Sequence, residues 1–123
     1  MLSFIIPAWN EEELIGQTIE SIHAATDGIE YEIIVANDAS DDRTREIAES
    51  LDAIVVDCNN RQIGLTRNDG AKVSRGEWIV FVDADTLVSS DVVRETIDAF
   101  KSGAISGTSF PMFDEEIPFT ARV

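Results

Sequence analysis

Apolar residues recur along this chain in two rhythms. The short β-branched and aromatic runs Leu2-Ser3-Phe4-Ile5-Ile6, Glu32-Ile33-Ile34-Val35-Ala36, Ala53-Ile54-Val55-Val56 and Trp78-Ile79-Val80-Phe81-Val82 read as buried strands. Pro7 stops the first of them, because proline cannot donate to a ladder. Between the strands the spacing turns helical. Ile15, Ile19 and Ile22 form the buried stripe of a first helix, with Asn10 as its cap and Glu13 at the third position after it. Ile47, Ala48 and Leu51 mark a second helix, capped from the loop that runs from Asn37 to Asp42. A third covers Leu65 to Val73 and closes at Gly76, and Val93, Ile97 and Phe100 mark a fourth that Gly103 terminates. Ala104 to Phe110 reads as a fifth strand, whereas Pro111 to Val123 has no clear period. His23, near the end of the first helix, is expected to satisfy a terminal carbonyl.

Strand and helix in regular alternation predict an α/β fold with right-handed crossovers, a mainly parallel sheet and helices on both faces. No linker or repeat divides the chain, so residues 1–123 are expected to form a single domain. The polar clusters Ala8 to Glu11, Asn37 to Asp42 and Asp83 to Asp85 all follow strands, which brings them to one edge of the sheet. Ligands of open α/β sheets bind at that edge.

Composition narrows the partners. The 123 residues carry 24 acids against 9 bases, a net charge of −15, and such a surface repels nucleic acid and anionic lipid. One explanation of the acidic coat is adaptation to high salt, under which the melting temperature rises with molar KCl. No apolar run is long enough to span a bilayer and no basic leader precedes the first strand. A soluble cytoplasmic protein is therefore expected, one that meets a membrane surface only through a segment or partner outside this chain. Cys58 is the single cysteine and is expected to be a small buried apolar residue.

The most informative chemistry is Phe81-Val82-Asp83-Ala84-Asp85. On an extended chain, residues i and i+2 point the same way, so Asp83 and Asp85 are expected to face one small volume, where a hard divalent cation is the natural neutraliser. The alternative is that one acid caps the next helix while the other is solvated.

Taken in order, Ile5-Ile6-Pro7-Ala8-Trp9-Asn10-Glu11-Glu12, Glu32 to Thr44, Gly64-Leu65-Thr66-Arg67-Asn68-Asp69-Gly70-Ala71 and Gly76 to Asp85 resemble the family 2 glycosyltransferases of the GT-A fold. The resemblance covers about the first two thirds of the chain. It implies a Rossmann-like GT-A nucleotide-binding half and an inverting transfer of sugar from a nucleotide diphosphate sugar donor to an acceptor, whether glycan, lipid or protein. It also implies that Pro7, Ala8 and Glu11 line the nucleoside pocket, that Asp38 hydrogen-bonds the base, and that Arg67 and Asn68 lie near the nucleotide. Asp85 would hold Mg²⁺ or Mn²⁺, and Asp83 would contact the ribose or support the metal.

Structural roles stay open beside these. Glu11 favours a helix N-terminus without a ligand, Asp38 can stabilise its own turn, and Arg67 can pair with Asp69 or the acid pair. Gly70 would allow close packing of helix on sheet. In this chain Asn37 and Ala39 stand where the resembled loop carries an acid and a glycine, which stiffens the loop. The general base of such enzymes lies well beyond the acid pair, in the half that also binds the acceptor. The short remainder after Asp85 is expected to lack it, and Asp114, Glu115 and Glu116 are not assigned the role. A partner segment supplying that half is expected. With no G-x-G-x-x-G and no glycine between Pro7 and Gly16, a dinucleotide dehydrogenase and a sugar nucleotidyltransferase are disfavoured. Neither lysine is placed as a receiver-like domain requires.

Overall fold

The structure, a computed structural model, describes residues 1–103 and 120–122. The β-branched runs form the expected strands: β1 Leu2–Ala8, β2 Tyr31–Asp38, β3 Ile54–Cys58 and β4 Trp78–Phe81. Helices α1 Ile15–Ala25, α2 Thr44–Ser50 and α3 Ile63–Lys72 alternate with them, and α4 Ser90–Ser102 follows β4. A short strand, β5 Thr120–Arg122, pairs with β4. It lies in the tail where no period was expected, since three residues are too few to display one. The strand expected over residues 104–110 lies outside the described residues.

All pairings are parallel and the strand order is β3-β2-β1-β4-β5. From β1 the chain adds β2 and β3 in one direction, then returns through α3 to place β4 on the other side of β1. A right-handed crossover that reverses direction must also change face. Accordingly α1, α2 and α4 pack over Leu2, Phe4, Ile6, Ile33, Val35 and Val80, while α3 packs over Ile5, Ile34, Ile79 and Phe81. Gly70 is the contact that lets α3 lie close, because a Cβ there would sit 2.5 Å from the Cγ2 of Ile5.

Capping differs from expectation at the first helix. Asn10 takes a left-handed backbone (φ 52°) and its side-chain oxygen accepts the N–H of Asp41 at 2.8 Å, while its own N–H donates to Ser40 Oγ at 2.9 Å. It thus ties the β1–α1 loop to the β2–α2 loop instead of capping α1, whose first N–H groups, Leu14 and Ile15, donate to the Glu11 carbonyl. Gln62 caps α3 through its side-chain oxygen, which accepts the Leu65 N–H at 2.7 Å, so that helix starts earlier than its apolar stripe indicates. Ser89 caps α4, and Gly103 ends it at φ 75°, as glycine allows. His23 does meet a helix-terminal carbonyl, but that of Leu51 beyond α2, at 2.8 Å from Nε2, and its Nδ1 meets the Tyr31 hydroxyl.

Candidate functional site

At the carboxyl ends of β1 and β2, next to the start of α3, lies a cleft of about 370 Å³. Pro7, Ala8, Glu11 and Asp38, all named from the sequence, line it together with Trp9, Arg61, Gln62, Ile63 and Thr66. Asp38 follows Ile34 and Ala36 on the α3 side of β2 and is 6% exposed. A carboxylate so buried needs donors. It has them: Oδ1 accepts the backbone N–H of Asn60 at 2.6 Å and Oδ2 that of Arg61 at 2.9 Å. Asp38 therefore organises the β3–α3 loop and not its own turn. Asn60 is braced further by its side-chain amide, which donates to Asp69 at 2.8 Å.

The loop held this way carries Arg61 in a left-handed backbone (φ 52°), with its guanidinium 4.9 Å from the centroid of the half-exposed Trp9 ring. On the opposite rim, Glu11 donates its backbone N–H to Thr44 Oγ1 at 2.9 Å. Burial and the nearby charges of Asp85 and Asp42 push the Glu11 carboxyl above the usual carboxylate range.

The acid pair does not take the extended geometry expected of it. β4 ends at Phe81, Val82 still donates to the Ile5 carbonyl at 2.9 Å, and the chain then turns through Ala84 and Asp85 with the Thr86 N–H on the Asp83 carbonyl at 3.0 Å. Buried Ala84 anchors the turn, its carbonyl accepting Thr18 Oγ1 at 2.7 Å. The two carboxylates consequently have different surroundings. Asp83 accepts from Arg67 Nη2 at 3.3 Å, the pairing with the acid pair that the sequence left open, whereas Asp69 is taken by Asn60 and Lys72. Arg67 is itself buried on α3, with its guanidinium 6.0 Å from the Phe81 ring centroid. Asp85 is exposed and contributes to the negative field felt by Glu11. Among the described residues no three side chains of metal-binding type are clustered. Glu11 feels the charge of Asp85, and carboxylate oxygens gathered in this way fit a hard divalent ion whose shell is completed by other oxygens.

The sequence carries no signal that places Trp9, Arg61, Gln62, Ile63 and Thr66 on the cleft: Trp9 reads as an isolated aromatic, and Arg61 sits in a polar turn where an arginine is ordinarily a solvated charge. Cys58 is half-buried, its thiol directed to the Asn37 carbonyl at 3.6 Å and pushed up by burial and by Asp38 and Asp69. Asn37 is opposite Asp57 in the β2–β3 register and donates to it at 3.2 Å. An acid at position 37 would face a like charge there.

A parallel sheet whose strand-end loops enclose a carboxylate-edged cleft defines an α/β ligand-binding domain of the GT-A kind. The chain belongs to glycosyl transferase family 2, whose pattern matches residues 3–122. It is 34% identical over 137 residues to the poly(ribitol-phosphate) beta-glucosyltransferase of Bacillus spizizenii, covering 95% of this chain and 22% of that protein. With the dolichol-phosphate mannosyltransferase of Pyrococcus furiosus it shares 34% identity over 108 residues, 84% of this chain and 31% of that one. Among solved structures it resembles S. aureus TarS 1-349 in complex with UDP-GlcNAc at 28% identity and a TM-score of 0.72, over 82% of this chain and 31% of that one. Glucosyl-3-phosphoglycerate synthase from Mycobacterium tuberculosis in complex with Mn²⁺ and UDP-glucose superposes with a TM-score of 0.71 at 26% identity, over 84% of this chain and 40% of that one. The chain thus spans less than half the length of these relatives.

Proposed function

We propose that this chain is the donor-binding part of an inverting glycosyltransferase, which binds a nucleotide diphosphate sugar together with Mg²⁺ or Mn²⁺. The observation that carries the reading is the meeting of Pro7, Ala8, Glu11 and Asp38 on one cleft at the strand ends. Support comes from relatives of the same family solved with UDP-GlcNAc and with Mn²⁺ and UDP-glucose.

In this reading Pro7, Ala8 and Trp9 supply the wall on which the nucleoside rests, and Asp38 keeps acceptor capacity beyond the two backbone bonds it already makes. Asp85, with Asp83 beside it, would hold the metal, which as a Lewis acid neutralises charge on the departing diphosphate. Arg67 restrains Asp83 and adds positive charge on the same side. The acceptor hydroxyl would be deprotonated by a general base that none of these residues provides. Transfer to the anomeric carbon from the face opposite the diphosphate then inverts configuration.

A second reading is a donor-binding module that does not itself transfer sugar. Incubation with Mn²⁺ and radiolabelled UDP- and GDP-sugars separates the two. Labelled product or donor hydrolysis supports the transferase, and saturable binding with neither supports the module.

A further inference from the structure

In a chain of net charge −15, the arginines with described side chains find carboxylates readily: Arg43, Arg45, Arg67, Arg75 and Arg94 each pair with one within 3.5 Å. Arg61 does not. Its guanidinium lies over Trp9 on the rim of the cleft, 4.9 Å from the ring centroid, with no carboxylate partner among the described residues. The backbone beneath it is costly and over-determined. Arginine holds φ 52°, a left-handed conformation that disfavours a side chain, and its N–H is fixed at 2.9 Å by the buried Asp38 carboxylate, with the neighbouring Asn60 N–H fixed by the same group at 2.6 Å. Strain held in place this way concentrates where a side chain must be aimed.

We propose that Arg61 is the base-recognising residue of this cleft, donating from its guanidinium to a ring carbonyl of the nucleobase. The inference rests on the donor-binding reading above. The charge that would otherwise answer Arg61 is absent, so its N–H donors are kept for an incoming acceptor. A phosphate is the less fitting one, because Arg61 shares its wall with Pro7, Trp9 and Asp38, while the acid pair follows β4 with Arg67 of α3 paired to Asp83. A donor at Arg61 and an acceptor at Asp38 on one cleft complement a base edge with a carbonyl beside a ring N–H, as in uracil, thymine and guanine. The corresponding edges of adenine and cytosine present an amino group beside an unprotonated nitrogen, which puts donor against donor.

The test is equilibrium titration of the intact chain and of Arg61→Ala and Arg61→Lys with UDP, GDP, CDP, ADP and inorganic pyrophosphate, all with Mn²⁺. Arg61 is exposed, so circular dichroism melts of the variants should match the parent. The expected result is preference for UDP or GDP over CDP and ADP in the parent. Arg61→Ala should lose roughly tenfold in affinity for the preferred nucleotide, the order of one charge-assisted hydrogen bond, and leave pyrophosphate unchanged. Arg61→Lys should recover only part of it, because an ammonium still donates to a carbonyl but lacks the planar group that the Trp9 ring holds in place. Equal loss for pyrophosphate and nucleotide, or unaltered nucleotide affinity in Arg61→Ala, overturns the assignment while leaving donor binding intact. A parent chain that binds none of the nucleotides overturns the donor-binding reading and this inference with it.

Discussion

Arg67 and Asp83 form an ion pair at 3.3 Å, with the guanidinium side chain 10% exposed and the carboxylate 37% exposed. The two members of the acid pair are therefore not equivalent. Asp83 is tied to a buried cation on α3, and Asp85 stands in the open turn beyond it. Asp83→Ala takes a charge-assisted bond from Arg67 and should destabilise the fold by about 1–3 kcal/mol. Asp85→Ala should stay within about 0.5 kcal/mol of the parent. Thermal melts of both variants check the asymmetry, and equal losses would contradict it.

Glu11 carries the opposite signature. Burial, Asp85 and Asp42 raise its carboxyl pKa, so its ionised form opposes folding at neutral pH. Glu11→Gln should melt at a higher temperature than the parent near pH 7. That advantage should vanish as the pH falls below the ordinary glutamate value, where the parent side chain is protonated in both states. A melting difference that does not change with pH would show that the local repulsion is unimportant.

At the other end of the sheet, Glu32 ties β2 to the α3–β4 turn. Burial pushes its carboxyl up, but the Arg75 backbone N–H at 2.6 Å, the Ser3 hydroxyl at 2.6 Å and the Arg75 guanidinium at 3.2 Å outweigh that and hold it below the usual range. A lowered folded-state pKa contributes stability that is complete above the ordinary value of about 4.3 and is lost as pH falls through the folded-state value. Glu32→Gln should cost about 1–3 kcal/mol at pH 7, and its gap from the parent should narrow on acidification. Denaturant melts at neutral and acid pH measure both.

Gly70→Ala is expected to destabilise by about 1–3 kcal/mol despite alanine's better helix propensity, because the new methyl would meet Ile5 at 2.5 Å and lift α3 from the sheet. Chemical denaturation gives the difference directly.

What the sequence made legible follows from which signals are local. β-branched runs such as Ile33-Ile34-Val35 and the Ile15, Ile19, Ile22 stripe state their own burial, and the strand-end rule then brings Ala8, Glu11 and Asp38 to one edge. What failed depended on contacts distant along the chain. Asn10 looks like a cap until Ser40 and Asp41 claim it, and the hold of Asp38 on the N–H groups of Asn60 and Arg61, 22 and 23 residues away, has no local signal beside its expected place at the base. The extended backbone expected at Asp83 and Asp85 assumed that the strand continued, but β4 ends at Phe81, and buried Ala84 gives its carbonyl to Thr18 where the chain turns. Ala39 likewise holds the left-handed conformation (φ 53°) that a glycine would accept more easily, so the loop keeps its shape without the residue that normally permits it.

Donor binding through a cation held at Asp85 is most directly tested by calorimetric titration of UDP and GDP into the chain and into Asp85→Ala, each with and without Mn²⁺. The expected result is nucleotide affinity that Mn²⁺ strengthens in the parent, with that strengthening gone in a variant that melts as the parent does. Affinity that is indifferent to Mn²⁺, or an Asp85→Ala chain that responds to Mn²⁺ as the parent does, would contradict the account.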